Sequence, residues 1–158
     1  MDREQIQNLI KEVLEKVTIE VKEVSILDSE PANTWFRVEV AEPHFFTNRE
    51  GEALSALNHI VKKIIENKTP RSEEPRDGIQ FLIDINDFQK KKVDSVRALA
   101  HMMAERARYF KSSVEVEPMP PFERRIVHEF LANEIDIKTE STGFGPGRRV
   151  IIKYIGTI

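Results

Sequence analysis

Apolar Ile6, Leu9, Ile10, Val13, Leu14 and Val17 recur at three- and four-residue spacing along the first stretch of the chain. At about 100° per residue they line one side of a helix over residues 3 to 16. The period then changes. In IEVKEVSIL and TWFRVEVAE apolar and polar residues alternate, as in strands with one face buried. EPHFFTNREG predicts a short helix or loop, and EALSALNHIVKKIIEN a helix with Leu54, Leu57, Ile60, Val61, Ile64 and Ile65 inward. GIQFLIDI is a third strand. The order is αββααβ, with the loop Asn48-Arg49-Glu50-Gly51 between the later two helices, and Trp35 is expected in the core.

The stretch KTPRSEEPRDG, 68 to 78, is rich in proline and charge and could be a linker between domains. A cut there would strip the first half of its third strand, so the boundary is placed after Asp87, giving domains of 1–87 and 88–158. In the second half QKKKVDSVRALAHMMAERARYFK predicts a long helix and VEVE a short strand. Residues 121–132 form a second helix, and DIKTES and RRVIIKYI are strands joined by TGFGPG. The fold class is α+β.

Composition narrows the function. With 158 residues, 40% hydrophobic and 32% charged, the chain has room for one ordinary domain or two small ones. It has no cysteine, which excludes disulfides, thiolate metal sites and thiol catalysis. No run resembles a secretory leader or approaches the ~20 apolar residues of a membrane span, so no membrane insertion and a cytoplasmic location are expected. The net charge of −3 hides an asymmetry. Residues 1–87 hold 11 Lys+Arg against 18 Asp+Glu, whereas 88–158 hold 13 against 9. A polyanion would therefore bind to the second half.

That half contains PPFERRIVHEF. Phe122, Ile126, Val127, Phe130 and Leu131 fill an apolar arc facing a core, and Arg124 and His128 fall about 40° apart just outside it. The pair is either solvated surface or a joint contact to a ligand. GFGPGRR is a tight hairpin connection, and its Arg148 and Arg149 face opposite sides of a strand, so at least one stays exposed. Phe144, at the tip, packs into the core or offers a stacking platform.

EPMPPFERRIVHEF followed by TESTGFGPGRRVIIKYI resembles the R3H domain of the bacterial Jag (SpoIIIJ-associated) RNA-binding proteins, named for an Arg and a His separated by three residues, here Arg124 and His128. The αββααβ half resembles the type II KH domain that precedes R3H in that family. The resemblance implies single-stranded nucleic-acid binding, of RNA or single-stranded DNA. In this reading Arg124, Arg125, Arg148 and Arg149 meet phosphates, and His128 and Phe144 meet unstacked bases. KH domains hold nucleic-acid backbone with a GxxG loop. This chain has Asn48, Arg49, Glu50 and Gly51 there; Asn tolerates positive φ, while Glu50 adds negative charge near Glu42 and Glu52.

The remaining features have plainer readings. Arg125 stands four residues before Glu129 and predicts a surface ion pair. His44, His59 and His101 lack metal-ligand spacing and are expected to be structural. No nucleophile with a base, and no paired acids, point to an enzyme, and no metal or cofactor is expected. The alternative function is a protein-interaction adaptor whose acidic KH-like half docks a partner, in the family a small stand-alone KH-domain protein.

Overall fold

A computed structural model describes residues 1–29, 33–68 and 81–156. The chain forms two compact units, Met1–Gln89 and Lys90–Ile158.

In the first unit, α1 (Arg3–Lys16) starts at a capping box. The Gln5 N–H donates to Asp2 Oδ1 (2.8 Å) and the Asp2 N–H to Gln5 Oε1 (3.0 Å), satisfying two amides that a helix start leaves open. β1 (Val21–Ser29) pairs antiparallel with β2 (Asn33–Val40). α2 (His44–Thr47), a single 3₁₀ turn (Arg49–Gly51) and α3 (Glu52–Lys68) then return the chain to β3 (Phe81–Ile85), parallel to β2. This is the αββααβ order expected of a type II KH-like half, with strands ordered β1-β2-β3. Ile6, Ile10 and Leu14 of α1 and Leu54 and Val61 of α3 close over Phe36, Val38, Ile83 and Ile85 of the sheet.

Asn58 is buried at the centre of α3. Its Nδ2 donates to the carbonyls of Leu54 and Ile83 (3.0 Å each), and its Oδ1 accepts the Ile83 N–H at 2.8 Å. The side chain thereby takes the place of a neighbouring strand along the edge of β3 that faces away from β2. Ile60, expected inward, lies at the rim of the buried arc and is exposed, as is Val17, beyond the end of α1. Trp35 is half-buried on the sheet face opposite Phe36, because adjacent residues of a strand point to opposite sides. Most of the stretch 68 to 78 lies outside the described residues.

α4 (Phe88–Phe110) starts in the first unit, where Phe88 packs against the core, and its remainder opens the second unit. Ala100, Ala104 and Ala107 are fully buried along one side of α4. β4 (Val114–Glu115), α5 (Pro121–Leu131), β5 (Ile137–Thr142) and β6 (Arg149–Tyr154) complete it, as an antiparallel sheet ordered β4-β6-β5. α5 begins with Pro121 in its first turn, where the missing N–H has no partner to lose. It buries only Ile126, Val127 and Leu131. Phe122 and Phe130, expected in the same arc, are 42% and 40% exposed, since α5 packs on the sheet along a narrower stripe than its apolar residues cover. Arg108 ties the end of α4 to the turn before β5, with Nε and Nη2 on the two Asp136 oxygens (2.7 Å each) and Nη2 also on Glu134.

Candidate nucleic-acid interface

α5 and β5 build the site. Thr139 and Ser141 are two apart on β5 and therefore share a face, and that face meets α5. His128 lies 2.7 Å from Thr139 Oγ1 through Nδ1 and 2.8 Å from Ser141 Oγ through Nε2. Both ring nitrogens are thus engaged, and the imidazole is half-buried, not the freely solvated surface that was one of the two readings of its place outside the apolar arc. Burial, and after it the charge of Arg124 one turn earlier, holds the His128 pKa below its ordinary value of 6.5, so the ring is neutral at pH 7. A neutral imidazole donates from one nitrogen and accepts at the other, which two hydroxyls can match in either tautomer. Arg124 stands beside it, half-buried.

The other candidates are dispersed. Arg125 is exposed and pairs with Glu129 (Nε to Oε1, 2.8 Å), the expected surface pair. Arg149 pairs across the sheet with Thr142, one residue beyond Ser141, so it lies on the face away from α5, where it bridges to Glu115 at 3.0 Å. Arg148 is exposed, while its backbone is fixed at both ends: its N–H donates to the Gly145 carbonyl and its own carbonyl accepts from Met119. Phe144 is 95% exposed, so the core alternative for it is excluded. Its loop turns at Gly143 (φ 92°), where an added Cβ would stand 3.2 Å from the Gly147 carbonyl oxygen.

The loop Asn48–Gly51 belongs to the first unit and differs from expectation. Asn48 is extended (φ −64°, ψ 158°) and has no need of positive φ. The left-handed positions are Arg49 (φ 49°), Glu50 (φ 56°) and Gly51 (φ 82°). Gly51 has an additional constraint, because a Cβ there would come within 2.7 Å of the Phe88 ring. Arg49 and Glu50 are exposed, and upstream the exposed Phe45 ring lies against His44 (centroids 4.2 Å). His59 and His101 are exposed, and among the described residues no three His, Asp or Glu side chains are grouped to hold a metal.

Thr139 and Ser141 escaped the sequence reading, although the alternation in IKTEST carries the signal: two hydroxyls on one strand face opposite a helix bearing a histidine. Arg108 escaped it because, Glu105 apart, its partners Glu134 and Asp136 lie 26 and 28 residues away in sequence.

This helix, strand pair and glycine loop are those of an R3H domain: the R3H family model matches residues 94–154, which include Arg124, His128, Thr139, Ser141 and the 143–148 loop. The chain is homologous, at modest identity, to proteins of the Jag family. It is 31% identical to the RNA-binding protein KhpB of Clostridium symbiosum over 104 residues, 66% of this chain and 44% of that protein. It is 28% identical to the RNA-binding protein KhpB of Bacillus subtilis (strain 168) over 108 residues, 67% of this chain and 49% of that one. The chain thus spans less than half the length of these relatives. Among the described residues no helix is long and apolar enough to cross a membrane.

Proposed function

We propose that this chain is a non-catalytic, cytoplasmic protein that binds single-stranded RNA, chiefly through its second unit. The observation that carries this reading is the placement of Arg124 beside a fixed, neutral His128 within the R3H segment. Arg124 offers a planar fork of donors to a phosphate, while His128, with both nitrogens occupied, presents its ring face to a base. Phe144 adds a second aromatic and Arg148 a second cation. Arg125 and Arg149, each held by a carboxylate, contribute less. The relatives' description as RNA-binding proteins, and the excess of basic residues in 88–158, support the same reading.

The first unit acts as a KH-like type II module. Its net negative charge and the acidic Glu50 at the loop tip favour a second role, docking a protein partner such as a small KH-domain protein, over a strong grip on RNA. Ultraviolet crosslinking of the full chain to labelled single-stranded RNA tests the assignment. Crosslinked peptides are expected within residues 120–150; crosslinks confined to residues 1–89 would overturn it.

A further inference from the structure

We propose that the Thr139 and Ser141 hydroxyls, linked through the His128 imidazole, read ribose 2′-hydroxyl groups and give the interface a preference for RNA over DNA. This rests on the RNA-binding reading above and names what the site recognises.

The argument starts from the proton count. In either tautomer one hydroxyl accepts the ring N–H, leaving its own O–H free to donate outward, and the other donates to the bare nitrogen, leaving its lone pairs free to accept. Moving the ring proton exchanges these roles between Thr139 and Ser141. The pair therefore always offers one outward donor and one outward acceptor, at positions that can interchange. A phosphate oxygen can only accept, and deoxyribose, with hydrogens alone at C2′, has no donor, whereas a ribose 2′-hydroxyl both donates and accepts and suits either hydroxyl in either tautomer. Its surroundings agree. All three side chains are half-buried, so their bonds are shielded but reachable, and Arg124 stands one turn from His128 to take an adjoining phosphate. The hydroxyls sit two apart on a strand, roughly 7 Å along it, so they reach separate sugars of an extended strand more readily than one.

The experiment compares oligocytidylates of one length, in ribo and 2′-deoxy form, by fluorescence anisotropy with the full chain. The parent should prefer the ribo strand by about three- to tenfold, the equivalent of one net hydrogen bond. Thr139→Val and Ser141→Ala, which also loosen the His128 ring, should each shrink that preference by weakening the ribo complex more than the deoxy one, and Ser141→Thr, which keeps a hydroxyl, should retain it. Thermal melts identify any variant that loses its fold, and the Ser141→Thr comparison then carries the test. Equal affinity of the parent for both strands, or an equal loss on both strands in the variants, would overturn the 2′-hydroxyl assignment while leaving nucleic-acid binding intact. Failure of the parent to bind either strand would overturn the RNA-binding reading itself.

Discussion

Replacing His128 with alanine separates a solvated histidine from a bonded one. A residue standing free outside the apolar arc would cost almost nothing to remove. Here the ring bridges Thr139 and Ser141 at 2.7 and 2.8 Å, and an intramolecular hydrogen bond contributes about 0.5–1.5 kcal/mol net. Two bonds give about 1–3 kcal/mol, nearer the lower end because water can reach the half-buried hydroxyls once the ring is gone. For a domain of this size that corresponds to a fall in melting temperature of roughly 5–15 °C. The pH dependence adds a second signature. Burial first, and Arg124 second, depress the folded pKa, so the unfolded chain binds more protons between the folded value and 6.5. The stabilisation is therefore complete above pH 6.5 and declines as pH falls through the folded pKa. Calorimetric melts of parent and His128→Ala from pH 8 to pH 5 should show the gap largest at the alkaline end and narrowing towards pH 5. Imidazole proton resonances should locate the depressed titration directly. A variant melting within 1 °C of the parent at pH 8, with a parallel pH profile, would refute the bridged imidazole.

Three further outcomes test other parts of the molecule. Asn58→Ala strands the Ile83 N–H and carbonyl in the interior, at about 1–3 kcal/mol each, so urea denaturation followed by the fluorescence of the single Trp35 should show the first unit about 2–6 kcal/mol less stable. Glu50→Gly relieves a left-handed backbone position and should raise the unfolding free energy from the same titration by about 0.5–1 kcal/mol after the extra chain entropy of glycine; a lowered value would show that Glu50 is not strained. Arg124→Ala should weaken binding to all single-stranded RNA sequences alike and reduce the slope of log K against log salt by ~0.7, and an unchanged slope would remove Arg124 from the phosphate contacts.

Periodicity was a good guide wherever one face of an element meets one core. Leu9, Ile10 and Leu14, or Phe36, Val38 and Val40, announce their buried side without knowledge of their partners. It fails where the partner decides. Phe122 and Phe130 are apolar and correctly spaced, yet the sheet beneath α5 covers a narrower stripe than they define. Trp35 obeys the alternation, but size argued for the core while parity put it on the other face. Helical spacing puts His128 properly at the rim of its apolar arc; what it could not convey is that β5 brings two hydroxyls to that rim. Asn48 illustrates a different limit: a residue type that tolerates positive φ need not use it, and the turn is borne by Arg49 and Glu50.

The Asn58 amide has a consequence for how copies of this protein can associate. A strand joining the sheet beside β3 would need the Ile83 N–H and carbonyl, and both are already spoken for in the middle of a five-residue strand. Growth of the sheet from that side is blocked. Fibrous assembly requires every molecule to extend at two opposite edges, so a sheet plugged at one of them can join at most one neighbour. Should crowding ever drive these sheets together edge to edge, the process ends in pairs, and a single buried asparagine protects the chain from filament formation through this sheet.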